Sequence, residues 1–413
     1  MNQKEFTVLL EKYGIPPFVP DLDEEVNSIC KKLKKLHLED DNYWKPEKKM
    51  KPIENNENSE DKISQIYERY TKLCIGNISF KFENNLDWLE KTIKKEYYRD
   101  CQKHSSFLQK CHVVRIIGNI LKKIKCNSFI FMTGSTITFL GDDNADVDLC
   151  WVIPGYGINN LDIDHLGQRM KIIFVLKEAS NYLKNKLHGY NCLKNIQVIE
   201  STVPILQIKF LYNNLLIEMD ISVNNLPGIM NSKLLHYYHR HDIRFAQLVT
   251  FFKKFCKQSG YKNAFNNCLN SYSISLMVLH FLQIVVEPPI LPNLQKLRPD
   301  IFGTFELIWF PYFQKIKLPK YNVKKNETPV SELYLQFLKY FGTFNSKCLG
   351  ISISKNCILP RKKFEKNKTC KPLFIEEPYE ENNTARSLTQ DNWTIIQKNL
   401  IHEFEDILQK KWN

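Results

Sequence analysis

The chain has 413 residues, 43% of them hydrophobic and 12% aromatic, with a formal net charge of +13. That length suits two or three domains with a sizeable core, and the apolar content excludes a disordered chain. No apolar run reaches the ~18 residues of a membrane span. The start MNQKEFTVLLEKYG lacks the apolar core and cleavage site of a signal peptide. Twelve scattered cysteines without a C-x-x-C pair argue against disulfides and structural zinc. The basic balance points to a polyanion, nucleic acid before an acidic membrane, or to no more than a solubility charge.

In chain order, IPPFVPDL reads as a Pro-broken extended segment and EEVNSICKKLKKLHLED as a short helix. WKPEKKMKPIENNENSEDK is polar and charged and reads as a linker. KKLKK is too short and too helix-like to serve as a nuclear signal. Residues 62–76 and 85–126 have helical patterning. Within the second stretch Val113, Ile117, Ile120, Leu121 and Ile124 make a buried stripe. Residues 129–225 alternate strands with a helix near 162–187. Ile196–Ile199, Pro204–Leu211 and Leu215–Ser222 are among the strands.

The segment FMTGSTITFLGDDNADVDLCWVI carries the chemistry. An apolar run leads into Gly134-Ser135, whose turn can offer backbone N–H groups and a hydroxyl to a phosphate. Ten residues later come Asp146 and Asp148, two positions apart and so on one face of a strand. Two adjacent carboxylates repel, and a divalent cation held with substrate phosphates resolves the conflict. In LLIEMDIS, Ile217, Met219 and Ile221 take one face, and Glu218 and Asp220 the other. Asp220 can then complete a three-carboxylate set for two metal ions, the arrangement of nucleotidyl transfer. The alternative is two solvated acidic edge strands.

From about 229 to 345 the pattern is mostly helical, broken at VVEPPILPNLQ. His236, His239 and His241 read as a polar helix face rather than a metal site, having no cysteine or acidic ligand at metal spacing. Lys253 and Lys257 share a helix face, either to neutralise a triphosphate or as a solvated pair. Asn270 or Ser271 can cap the apolar helix ISLMVLHFLQ, and Tyr272 offers a face for a base or fills the core. PLFIE at 372–376 reads as extended, followed by a turn and a last helix over 391–411.

GS-x10-DVDLC, the strand ending EMDIS, LNSYSISLMVLHFLQ with PPILPNLQKLRPDIF, and FIEEPYEENNTAR occur in that order. Together they make the chain resemble the cytoplasmic poly(A) polymerases of the germline-development group, within the polymerase-β nucleotidyltransferase superfamily. Terminal uridylyltransferases are close relatives of that group. The resemblance covers roughly residues 90–410.

It implies an α+β fold: a nucleotidyltransferase domain with a mixed sheet, inserted into a mostly helical central domain, the two lobes flanking a nucleotide cleft. The expected division is an N-terminal extension and linker over 1–85, central-domain helices over 86–125, and the catalytic domain over 126–227. The helical domain then takes 228–413, with a base-recognition loop near 374–386. By the same resemblance Asp146, Asp148 and Asp220 hold Mg²⁺ or Mn²⁺, and Asp220 takes the proton of the RNA 3′-hydroxyl. Gly134 and Ser135, Lys253, Lys257 and Ser271 lie at the triphosphate. Tyr272 stacks on the base, Asn231 reads the ribose hydroxyl, and Glu377 and Glu380 lie near the base edge.

The loop 380–386 has no histidine and ends N-T-A-R, as in the adenylating group, which favours ATP over UTP. Ala145 stands where the family commonly has serine. Thr138-Phe139 and Asp142-Asp143 stand where it often has Asn-Gly and a basic residue. These departures are expected to weaken the triphosphate's hold or lower basal turnover. The expected activity is addition of AMP from ATP to an RNA 3′ end, in the cytoplasm or the nucleus. No base-reading domain is evident, so an RNA-binding partner protein is expected to choose the message. The alternatives are a uridylyltransferase and a low-activity scaffold of the same fold.

Overall fold

The computed structural model describes residues 83–154, 165–201, 203–261, 268–304, 316, 325–361, 371–380 and 382–409. The expectations for residues 1–82 lie outside these. The described residues form two compact units, one running through Arg99–Arg240. The other takes residues 83–98, His241–Gly303 and the described residues from 316 onward.

The stretch 85–126 is two helices, α1 (Glu83–Asp100) and α2 (His104–Leu121), separated by Cys101–Lys103. Continuous periodicity could not reveal this break. The first unit contains α2, β1 (Phe129–Thr133), α3 (Gly134–Thr138), β2 (Val147–Val152) and α4 (His165–Leu187). It continues with β3 (Leu193–Ile199), β4 (Ile205–Tyr212), β5 (Leu215–Val223) and α5 (Leu226–His241). The sheet order is β1-β2-β5-β4-β3. β2 and β5 run parallel, and the other neighbours antiparallel.

Along β4, Leu206, Ile208, Phe210 and Tyr212 alternate inward, the period of a strand with one buried face. β2 is central and buried throughout, except at Asp148. Apolar stripes from α2 (Val113, Ile117, Ile120) and α4 (Leu176, Ala179, Leu183) pack into the same core. Each such Val, Ile or Leu side chain contributes roughly 1.5–3 kcal/mol on burial. Those contributions fix which carboxylates are left on the polar face.

The second unit is mostly helical. It contains α1, α6 (Ile243–Gln258), α7 (Ser271–His280) with a π-helical turn over Phe281–Val285, α8 (Leu294–Leu297) and α9 (Pro299–Phe302). α10 (Val330–Gly342) and α11 (Gln390–Gln409) follow. Phe252, Phe281, Phe337 and Tyr340 form an aromatic core. On α11, Trp393, Ile396, Leu400 and Ile407 make the buried stripe, and Trp393 Nε1 donates to Ser346 Oγ at 2.8 Å. Asn85 of α1 donates to the carbonyls of Ile407 and Leu408, satisfying the C-terminal end of α11.

A small sheet, of which the sequence reading caught only the extended segment at 372–376, has the order β7-β6-β8, with β6 at Leu349–Ser352, β7 at Cys357–Pro360 and β8 at Ile375–Glu376. Its strands are two to four residues long, too short to carry a periodic signal. Among the described residues, no helix is long and apolar enough to cross a membrane.

Candidate active site

Parallel pairing of β2 with β5 sets Asp148 directly beside Asp220. Residues in register point to the same face, so both carboxylates project together. Asp146 lies one residue ahead of β2 and is exposed, so it approaches from the strand's entrance rather than from the ladder.

Burial, and then the charges of Asp220 and Asp146, push the Asp148 carboxyl up to about 7. Burial raises Asp146 as well, helped by Asp220 and Glu218 and opposed by Lys110 and Lys209. Burial raises Asp220 too; a hydrogen bond donated by Gln207 Nε2 at 3.2 Å opposes this, and the charge of Glu218 adds to it. Glu218 is itself paired with Lys209 at 2.7 Å. Three carboxyls raised together lack a positive partner among themselves, and a divalent ion is the group that relieves them.

Among the described residues, no three His, Cys, Asp or Glu side chains close into a metal cage on their own. One Asp220 oxygen accepts from Gln207, and Asp148 Oδ2 lies against Gly134. The donors are hard oxygens, few in number and partly open to solvent. They fit a Mg²⁺-type ion that draws further ligands from water and phosphates, not a closed structural site.

The Gly-Ser pair is not an open turn. It begins the five-residue helix α3, which Phe139 ends in the left-handed region at φ 56°. Gly134 has φ 72°, and a Cβ there would collide with the Asp148 carboxylate, so only glycine fits on both counts. A Cβ at Gly141 would lie 2.9 Å from Ser135 Oγ and 2.8 Å from the Ala145 methyl, so this glycine lets the loop close over both.

The loop has its own buried support. Thr136 Oγ1 donates to the Asp146 carbonyl at 2.9 Å. Gln102 Nε2 donates to the Thr136 carbonyl at 3.0 Å. Lys110, only 2% exposed, donates to Gln102 Oε1 at 3.1 Å and to the Ala145 carbonyl at 2.8 Å. Burial lowers the Lys110 pKa, while Asp143, Asp142 and Asp146 pull it back up. Asp143 accepts the Lys103 N–H at 2.7 Å where α2 begins, and Asp142 caps the Asn144 N–H at 2.9 Å. The two acidic residues that looked harmful to a triphosphate are thus engaged by the local fold. None of these partners showed in the sequence, because Gln102 and Lys110 precede the motif on another element.

The histidine reading needs correction. His236 is buried and its Nδ1 bonds the Ile137 carbonyl at 2.8 Å; His239 Nδ1 bonds the Thr138 carbonyl at 3.0 Å. Burial depresses both, His236 to about 4. They are neutral imidazoles that α5 sets against the end of α3, not a polar face; of the three only His241 is exposed. Asn231, expected at the ribose, has a buried Oδ1 with no hydrogen-bond partner.

In the second unit Lys253 is half-buried and Lys257 exposed, one turn apart on α6. Asn270, not Ser271, caps α7, accepting the Ser273 N–H at 2.7 Å and donating to the Thr384 carbonyl at 2.9 Å. Ser271, at the first position of α7, is half-buried. Tyr272 is half-buried and its hydroxyl donates to Glu377 at 3.1 Å; burial, and then the Glu377 charge, raise that phenol well above its usual range. Glu377 is buried and also accepts the Tyr379 and Glu380 N–H groups. Its carboxylate therefore holds the E-P-Y-E turn, while Glu380 stays exposed. Asn383, unnoticed in the sequence, braces the other side by accepting the Ile375 and Ala385 N–H groups and donating to the Leu373 carbonyl.

Two family models match the chain. The central palm domain of mitochondrial-like poly(A) RNA polymerases covers residues 89–240, and Cid1 family poly A polymerase covers 329–383. Poly(A) RNA polymerase GLD2 of Mus musculus is 29% identical over 321 residues, 76% of this chain and 64% of that protein. The Homo sapiens protein of the same name is 30% identical over 322 residues, 77% and 62% respectively. Over about three quarters of its length the chain is similar to poly(A) RNA polymerases of the GLD2 type.

It spans a little under two thirds of the length of those GLD2 relatives. A structure of the GLD-2/RNP-8 complex aligns with a TM-score of 0.64 at 24% identity, covering 79% of this chain and 96% of that one. A Cid1 poly(U) polymerase crystal structure aligns at 0.62 and 18% identity, covering 79% and 95%. Both identities speak to the fold, which is the α+β polymerase-β type. The matched palm segment contains Gly134, Ser135, Asp146, Asp148, Asp220 and Asn231. The second segment contains Glu377 and Glu380, and Lys253, Lys257, Ser271 and Tyr272 fall between the two.

Proposed function

We propose that this chain, similar to the GLD2 poly(A) RNA polymerases, adds AMP from ATP to RNA 3′ ends, releasing pyrophosphate. One observation carries the reading: Asp148 and Asp220 stand in register, with Gly134 held against Asp148. The relatives named poly(A) RNA polymerase, and the adenylating form of the 380–386 loop, support ATP over UTP. RNA chosen by a binding partner accords with a GLD-2/RNP-8 complex among the similar structures. A cytoplasmic setting follows from the family resemblance.

In this mechanism the 3′-hydroxyl oxygen bonds to the α-phosphorus as the bond to the bridging oxygen breaks in line. Asp146, Asp148 and Asp220 would hold Mg²⁺ or Mn²⁺, which when bound neutralises phosphate charge and acidifies the hydroxyl. Asp220, oriented by Gln207, accepts the hydroxyl proton. Ser135 binds the triphosphate, and Asn231 Oδ1 accepts from a ribose hydroxyl, which discriminates against dATP. Lys253, Lys257 and Ser271 are assigned to the phosphates, Tyr272 to the base face and Glu380 to the base edge. Glu377 acts by holding the Tyr272 hydroxyl and the turn.

The test is extension of a labelled oligo(A) RNA with each NTP separately, in Mg²⁺ and in Mn²⁺, beside Asp146→Ala. Extension with ATP that the substitution abolishes is expected. UTP preference would overturn the base assignment. No incorporation, alone or with an RNA-binding subunit, would make the chain a scaffold of the same fold.

A further inference from the structure

α3, five residues long, carries Ser135 and presses Gly134 against Asp148. It is too short to hold itself: helices below roughly 12 residues are marginal in water, so its geometry must come from outside. The outside support is one face of α5, and it grips both ends. At the start, Ser232 Oγ accepts the Gly134 N–H at 2.8 Å while donating to the Gly228 carbonyl at 2.6 Å. At the far end, His236 Nδ1 reaches the Ile137 carbonyl at 2.8 Å and His239 Nδ1 reaches the Thr138 carbonyl at 3.0 Å. Positions 232, 236 and 239 are spaced i, i+4 and i+7, a single helix face.

The contacts fit the backbone's needs. The first N–H and the last carbonyls of a helix have no partner inside it, and both sets are satisfied here from α5. A carbonyl can only accept, so each imidazole must be the tautomer with its proton on Nδ1. The Phe139 ring, which ends α3, lies near both imidazoles and near Phe107, at centroid distances of 6.1, 6.3 and 4.8 Å. Ser232 and His236 are 5% and 2% exposed, which keeps competing water from the grip.

We propose that Ser232, His236 and His239 are positioning residues for the triphosphate. They would clamp α3 from both ends so that Ser135 and Asp148 are preset before ATP arrives. The inference rests on the adenylyl-transfer reading only for what α3 binds; the clamp itself is a property of this fold.

Two measurements separate the two ideas. The first is hydrogen–deuterium exchange of peptides covering Thr133–Leu140 in the full chain. Exchange should quicken at least about tenfold in Ser232→Ala and His239→Ala, the cost of one buried hydrogen bond. His236→Asn, whose amide nitrogen can stand where Nδ1 stands, should exchange like the wild type, and His236→Ala should not. Unchanged exchange in all the alanine variants would overturn the clamp, whatever the activity of the chain. The second is the split between KM and kcat for ATP in primer extension. The clamp predicts a KM for ATP raised about tenfold, with kcat within about threefold, restored by His236→Asn. Lower thermal stability with an unchanged KM would make the three residues structural only, and would also overturn it. Failure of the wild type to extend RNA would count against the adenylyl-transfer reading and leave the exchange result standing. Ser232→Ala and His239→Ala keep the test open if His236→Ala does not fold.

Discussion

The two units support their candidate residues in opposite ways. In the first, Asp146, Asp148 and Ser135 are left to meet a ligand while neighbours do the holding: Thr136, Gln102 and Lys110 on one side, α5 on the other. In the second, Glu377, expected at the nucleotide, is itself a brace that accepts from three donors, and the cap Asn270 ties down Thr384. A motif residue in the sheet unit is therefore read best as a reacting group. A motif residue in the E-P-Y-E…N-T-A-R loop is read first as the architecture that presents its neighbours.

The sharpest way to break this contrast is at the carboxylates. Asp148→Ala should abolish nucleotide incorporation, a loss of at least about 10³-fold or roughly 4 kcal/mol of transition-state stabilisation, with thermal stability unchanged or raised. The gain in stability is expected because a crowded, raised carboxyl is removed. Gly134→Ala should be nearly as inactive, since it drives a methyl into Asp148 and forces a left-handed φ on alanine. Incorporation assays with thermal melts check both, and an active Gly134→Ala would refute the close approach.

Glu377→Ala should behave differently. Its main effect should be on stability, about 2–4 kcal/mol for unsatisfying a buried turn, with loosened ATP preference as a consequence. Glu380→Ala should leave stability within about 0.5 kcal/mol and register only in nucleotide competition. Equal destabilisation by the two would erase the distinction drawn here.

Proton linkage sharpens the contrast further. Asp148, at about 7 without metal, holds a proton that a cation must displace. Affinity for Mg²⁺ or Mn²⁺ should therefore climb as pH rises through about 7. Titration calorimetry in buffers of different ionisation heat should show proton release below that pH.

The histidines carry the opposite sign. His236 falls to about 4 and His280 to about 3, so below their unfolded value the unfolded chain binds protons the native one refuses. Their contribution to stability should be intact above about 6.5 and drain away as pH falls toward 4, visible in denaturant melts. His236→Asn should flatten part of that slope.

Much of the sheet unit was legible because its signals are local. Alternation along β4 and β5, the apolar stripe on α2 and the D-x-D spacing each state a face within a few residues. The mixed pairing that sets Asp148 beside Asp220 was guessable from a third aspartate on a strand, but its register was not. The supporting residues were opaque for one reason. Lys110, Gln102, Ser232 and His236 act across elements through backbone carbonyls or N–H groups, which have no sequence identity, and Gln207 meets Asp220 only through the β4–β5 register. The histidine cluster misled because polarity was read as exposure, when both imidazoles spend their protons on the end of α3. The strands β6 to β8 are too short for periodicity, and Asn383 gains its role only once they are paired.

The parallel pairing of β2 with β5 also constrains how the chain comes to be folded. The partners are separated in sequence by α4 and the β3–β4 ribbon, whereas β4 and β5 meet through a tight hairpin at Asn213-Asn214. Loop closure favours the hairpin first, so β5 reaches β2 already paired. Docking then forces like charges together against their repulsion. The step that gathers the three aspartates is thus one that electrostatics resists, and cations in the refolding buffer should hasten it.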